Sequence, residues 1–304
     1  MNPSRNRPSD SADRIDGDDS PVDARSIIYG VDFSGARDAG SKIWIASAAV
    51  EAGGNGLRIE RCYPVADATG TTERAPALEY LREFVARERR AVIGLDFSFG
   101  VPRAVADAPD WRTFACDFTF ENVEEMVDTY VTRAREYTDG ERTYLKRATD
   151  AATGASSAYG FVVVAQTLYG VRDVLRPLVC NERVSVLPMD DPSDSNDPDD
   201  ERPWLCEIYP AATLRDLGLP NEKYKNDGKY PEARERRERI VAGLRDAGVT
   251  VTDDIAATAI ADAGGDALDS VVAALAVFRA LDDGRLAVGT TPDERTGPEG
   301  HIYV

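Results

Sequence analysis

The stretch Ile27–Ala36, I-I-Y-G-V-D-F-S-G-A, limits what this chain can fold into more than any other. It is an apolar, β-branched run that stops at an acid, Asp32, and then turns through Phe33, Ser34 and Gly35. Such a run reads as a buried strand. A carboxylate at the end of a buried strand is costly unless something pairs with it, commonly a metal or a substrate group. The pattern returns downstream, where Gly94-Leu95-Asp96-Phe97-Ser98 echoes Gly30-Val31-Asp32-Phe33-Ser34. If the two strands are adjacent and parallel, both acids emerge at one sheet edge. That edge is where open α/β sheets bind ligands.

Lys42–Val50 and Leu57–Tyr63 read as the second and third strands. Gly40-Ser41 and the Gly53–Gly56 run make hairpin-like connections, so the fold opens as an antiparallel meander. A helix over Ala77–Arg90 follows, with Pro76 suited to its first turn and Leu78, Leu81, Phe84 and Val85 on one face. Ala91–Asp96 is the fourth strand, and the helix before it implies a parallel crossover.

Pro102 to about Pro203 reads as a helical insertion. Asn122 caps a helix over Val123–Tyr137, with Glu125 three residues on. Tyr144–Asp150 is a local basic patch. Ala158–Leu178 is mostly helical, although Phe161–Val164 could be strand. Asp190–Glu201 is an acidic loop without the spacing of a calcium-binding loop. Trp204–Tyr209 is the fifth strand and carries Glu207; Pro210 then starts a short helix ending at Gly218. Asn221–Arg239 is rich in Lys and Arg, either as the salt-bridged face of a helix over Pro231–Ala247 or as a phosphate-contacting surface.

The last main element is a helix over Asp266–Asp282. Asp266 and Asp269 are three apart and share a face, and Asp269 continues the small-residue stripe of Ala273, Ala276 and Ala280 toward the sheet. Asp266 can also be read as an N-cap after Gly264-Gly265, and Asp269 as a first-turn acid favoured by the helix dipole.

Composition decides which acids count. With 54 Asp+Glu against 36 Lys+Arg, the net charge is −18. A solvated acidic surface of this kind suits high salt, so only acids in apolar or strand-end contexts carry information. The same charge repels nucleic acid at long range. One histidine, His301, leaves no room for Ser-His-Asp chemistry or for zinc sites needing two or more His. The four cysteines are far apart with no C-x-x-C and read as reduced, buried residues of a cytoplasmic protein. No run approaches a membrane span. Residues 1–25 read as a disordered polar tail, and 26–304 as one domain carrying the insertion at about 103–203.

Asp32, Asp96, Glu207, Asp266 and Asp269 are the acids in apolar contexts. Carboxylates cannot crowd together ionised without a cation, and clustered hard oxygens select Mg²⁺ or Mn²⁺. Such ions activate water and stabilise a leaving oxygen in phosphodiester cleavage.

The β-β-β-α-β…β…α order with these acids resembles the ribonuclease-H-like superfamily. G-V-D-F-S-G, G-L-D-F-S-F-G-V-P, E-I-Y-P-A with the following L-G-L-P…Y-K, D-A-L-D-S-V-V-A-A-L-A and E-G-H-I-Y-V are more narrowly similar to domain-of-unknown-function family 429. That family is described as predicted ribonuclease-H-like nucleases. The resemblance covers Ile27 to Val304, the insertion least. It implies an α/β fold with a five-stranded mixed sheet, three antiparallel strands then two parallel, flanked by helices. It implies metal ligands at Asp32, Asp96 and Asp269, with Asp266 or Glu207 completing the shell. It also implies that Lys225 and Arg147 face the site. The expected activity is Mg²⁺- or Mn²⁺-dependent cleavage of a nucleic acid. A phosphotransferase of the sugar-kinase/actin-like class is the alternative; there Ser34 and the turns Gly30–Gly35 and Gly94–Gly100 would hold phosphate. A third reading is a non-catalytic module of the same fold.

Overall fold

β1 (Ile27–Asp32) and β4 (Ala91–Asp96) pair in parallel, with Gly30 opposite Gly94 and Asp32 opposite Asp96. This is the computed structural model of the chain, and it describes residues 25–54, 56–192, 200–286, 297 and 299–304. Most of the expected tail and the middle of the expected acidic loop lie outside the described residues.

The other strands are β2 (Trp44–Val50), β3 (Leu57–Pro64), β5 (Ser185–Val186), β6 (Trp204–Ile208), β7 (Val249–Thr250) and β8 (Ile302–Tyr303). They form one sheet in the order β5-β6-β4-β1-β2-β3-β7, with β8 on β6. β1–β2 and β2–β3 are antiparallel, and β1–β4 and β4–β6 are parallel. Among the described residues the sheet is therefore eight-stranded, not five-stranded. The three additions, β5, β7 and β8, have two residues each, too short to display the alternation that marks a strand.

Alternation sorts the long strands into two faces. Val31, Ile45, Ile93, Leu95 and Leu205 enter one apolar core with the helix Arg74–Arg87 and the insertion. Ile28, Ala46, Val92 and Cys206 enter the other, with the helices Ala233–Asp246, Asp253–Ala261 and Asp266–Asp282. In the last helix every residue from Ala267 to Val277 is buried. It lies directly on the sheet because Gly30 and Gly94 carry no side chain. A β-carbon on Gly30 would overlap the backbone of Ser270 and Ala274, and one on Gly94 would meet Val277 and Ile208.

The insertion contains helices Arg103–Ala106, Trp111–Asp117, Val123–Tyr137, Ala148–Thr153 and Val164–Gly170. The last continues through a π-type segment, Val171–Leu175, into Arg176–Cys180. Phe161–Val163 form a turn, not a strand. The Asn122 side chain caps its helix by accepting from Glu125 N at 3.0 Å, whereas Glu125 reaches back to Glu121 N rather than to Asn122. Cys116 and Cys180 form a disulfide between two of these helices, which corrects the reading of all four cysteines as reduced thiols. The pair is 64 residues apart in sequence, and no spacing motif announces it. No helix of the described residues is long and apolar enough to cross a membrane.

Candidate metal centre

The register that aligns Asp32 with Asp96 also sets their direction. Side chains alternate along a strand, so Gly30 and Asp32 share a face, as do Gly94 and Asp96. That face receives the helix Asp266–Asp282, whose first turn brings in Asp269. One carboxylate oxygen from each of Asp32, Asp96 and Asp269 lies within 4.8 Å of the others. Among the described residues no other group of three or more His, Cys, Asp or Glu converges in this way. Asp32 is 5% and Asp269 3% exposed. Three hard oxygen donors at this spacing fit a divalent cation and could hold one.

Asp269 is held from both sides. Tyr224 Oη donates to its Oδ1 at 2.8 Å, and Lys225 Nζ lies 2.5 Å from its Oδ2. The Tyr224–Lys225 segment is anchored in turn by Arg237, fully buried on the helix Ala233–Asp246. Arg237 donates to Tyr224 O at 2.8 Å, to Ile260 O at 2.8 Å and to both oxygens of Asp227. Arg234 pairs with Glu238 and Arg236 with Glu232 along the same helix. Arg234, Arg236 and Arg237 of the basic run are thus ion-paired on this helix, and Lys225 before it turns to the acids.

Burial governs the electrostatics. Loss of solvent pushes the Asp32 carboxyl well above the usual range; Lys225 opposes this, and Asp266, Asp269 and Asp96 add to it. Burial, then the neighbouring Asp269, pushes Asp96 up to about 8 against the pull of Lys225. Asp266 is pushed up to about 6, again chiefly by burial. Burial works against the charge on Lys225, but Asp269 and Asp32 overcome it and hold the amine protonated well above its ordinary range. One ammonium faces more carboxylates than it can neutralise.

The remaining expected residues are placed differently. Asp266 pairs with Lys225 at 3.6 Å but is outside the converging three. It is not the N-cap. Gly265 holds that position, and the Asp262 carboxylate accepts from Ala267 N at 2.9 Å and Gly264 N at 3.0 Å. Glu207 and Arg147 border the same cleft but are bonded to each other, Nη1 to Oε2 at 2.7 Å and Nη2 to Oε1 at 2.5 Å. Glu207 also accepts from Phe99 N at 2.9 Å, and Arg147 binds Asp150. Arg147 is completely buried and caps the helix Ala148–Thr153, so the basic patch expected at Tyr144–Asp150 is an internal ion-pair network there. Ser34 Oγ accepts from Ala36 N at 3.3 Å in the turn after β1.

Two contributors were missed in the sequence. Tyr224 orients Asp269, and its one signal was adjacency to Lys225. Gln166 donates to Phe33 O at 2.7 Å from the helix Val164–Gly170, and nothing in its surroundings marked it. Asp96, Asp269, Lys225, Tyr209 and Gln166 line a cleft of about 270 Å³ at the carboxyl ends of β1, β4 and β6.

No curated protein and no solved structure matches the chain. Residues 30–295 match the model of the family described as protein of unknown function (DUF429), so the chain belongs to that family.

Proposed function

We propose that this chain is a divalent-metal-dependent nuclease with a ribonuclease-H-like arrangement, in which Asp32, Asp96 and Asp269 hold Mg²⁺ or Mn²⁺. The observation that carries the reading is the convergence of these three carboxylates within 4.8 Å, with Asp32 and Asp269 buried. Support also comes from the order β3-β2-β1-β4-β6 of the five long strands, with acids on the first and fourth in sequence and on the last helix. When bound, such an ion polarises a phosphoryl oxygen and lowers the pKa of water.

The chain's own groups do the rest. Asp32 and Asp96 are fixed by strand pairing, and Asp269 is fixed by Tyr224. Lys225, with 41% of its side chain exposed, reaches the cluster from outside. It can turn its charge from Asp269 to a phosphate oxygen once a cation neutralises the carboxylates.

The test incubates single-stranded and branched DNA and RNA with the native chain and with Asp32→Asn, in Mn²⁺ and at high salt. The native chain is expected to cleave at least one of them. Asp32→Asn is expected to retain its circular dichroism and lose cleavage. Equal cleavage by both would sink the proposal, as would no cleavage by the native chain.

The phosphotransferase reading finds less support. Its glycine turns should offer open backbone amides to phosphate, but Phe99 N in the second turn is taken by Glu207.

A further inference from the structure

An acidic chain that handles a polyanion needs a local source of positive charge. Arg147 and Arg237 are saturated by their own partners. A second cavity, of about 390 Å³, is lined by Arg74, Arg82 and Arg172 around Tyr169. The Arg74 guanidinium lies 3.6 Å from the centre of the Tyr169 ring and that of Arg172 lies 5.1 Å from it. Two carboxylates, Glu79 and Asp173, also border the cavity. Asp173 is gripped by Arg172 through two hydrogen bonds, at 2.7 and 2.9 Å.

Arg74 and Arg82 are different. In a chain with 54 acids to 36 bases, neither makes an ion pair with a described carboxylate. Each is only partly buried. Arg74 donates to Gly35 O at 2.9 Å and Arg82 to Asp173 O at 3.1 Å. The other donors of each five-donor fork have no partner among the described residues.

This cavity adjoins the acid cleft. Gly35, which Arg74 holds, is three residues beyond Asp32, a reach of roughly 11 Å at most. Gly35 packs on Ala165 of the helix Val164–Gly170. On that helix Gln166 lines the acid cleft and Tyr169 lines the arginine cavity. They are three positions apart on one face, about 4.5 Å of helix rise. The two cavities are thus consecutive along one wall.

We propose that the cavity around Tyr169 is a phosphate-binding subsite that holds the backbone of a single nucleic-acid strand leading away from the acid cluster. Two unpaired guanidiniums beside an aromatic ring suit a phosphate and its neighbouring base. The inference rests on the nuclease reading for the identity of its ligand.

The test measures binding of a labelled single-stranded oligonucleotide by fluorescence anisotropy across a salt series, using the full chain carrying Asp32→Asn to silence cleavage. Adding Arg74→Gln and Arg82→Gln is expected to weaken binding at least tenfold near 0.1 M salt. The slope of log affinity against log salt should become shallower by about 1.4, about 0.7 for each phosphate that an arginine no longer neutralises. Because Arg74 also holds Gly35, Arg82→Gln alone is the second variant, with an expected change of about 0.7. An unchanged slope in Arg82→Gln, or no binding by the parent, overturns the subsite. Failure of the nuclease reading looks different. If the native chain cleaves nothing and the slope changes persist, the subsite stands without the reaction. If it cleaves and the slopes do not change, the reaction stands without the subsite.

Discussion

Two charge clusters, built from the same kinds of side chain, border one cleft through Arg147 and Glu207 on one side and Asp96, Asp269 and Lys225 on the other. In the first, Arg147 meets Glu207 and Asp150, and its donors also reach Glu299 O. Glu207 takes a further bond from Phe99 N, and Asp150 one from Arg147 N. In the second, Asp32, Asp96 and Asp269 converge on one another, and the cation beside them is a lysine reaching in from a partly exposed position. Burial raises the carboxyls of Glu207 and Asp96 alike, but Glu207 has a fully buried guanidinium against it. A saturated cluster belongs to the fold. An unsaturated one is open to a ligand, and this difference separates the two where residue type does not.

The comparison can be broken most forcefully at Arg147. Arg147→Met leaves two buried carboxylates without their counterion and should cost about 3–5 kcal/mol of stability in urea unfolding. A loss below about 1 kcal/mol would mean that the first cluster is not structural.

Mn²⁺ should act only on the second cluster. At a hundred times its dissociation constant it should stabilise the native chain by about 2.7 kcal/mol, and Asp32→Asn by nearly nothing. Equal melting shifts in the two proteins would remove the distinction.

Gly30→Ala tests the frame under the acids, because the new methyl meets helix backbone. A loss of about 1–3 kcal/mol or more is expected, together with loss of the Mn²⁺ response. Unaltered Mn²⁺ binding would show that close helix packing does not position Asp269.

The pH dependence has a definite sign. A buried carboxyl raised to about 8 from an ordinary 3.8 keeps its proton in the folded state after the unfolded chain has released it. Its contribution is therefore present at low pH and is lost as pH rises from about 4 toward about 8. The melting temperature of the metal-free native chain, measured relative to Asp96→Asn, should fall across that window. A flat difference would sink this assignment.

The smallest effect is expected from Asp266→Asn. That residue meets Lys225 but not the three converging oxygens, so Mn²⁺ affinity should weaken by about tenfold, the low end for a residue acting through its neighbours.

Much of the frame was legible because its signals are local. β1, β4 and the helices Val123–Tyr137 and Asp266–Asp282 have the expected bounds, since each is an uninterrupted apolar or periodic run with clear ends. The echo at Gly94–Ser98 placed two acids side by side, and the register bears this out. What was not legible depends on partners distant in sequence. Arg147 in isolation looks like a surface cation, and its partner Glu207 is 60 residues away. The Cys116–Cys180 pairing, the clamp by Arg237 and the hydrogen bond from Tyr224 to Asp269 all join separate elements. β5, β7 and β8 exist because a neighbouring strand offers an edge, which two residues of sequence cannot announce.

The paired glycines beneath the last helix have one more consequence. Backbone rests on backbone at Gly30, with no side chain between that could change rotamer and let the layers separate. The backbone positions of the three acids are therefore set by main-chain packing, and only rotation of their short side chains is left to adjust the distances among the carboxylates. Such a frame limits how far the three carboxylates can spread around a bound cation. It would favour Mg²⁺ or Mn²⁺, which accept short bonds and regular octahedra, over Ca²⁺, which asks for longer bonds and more ligands.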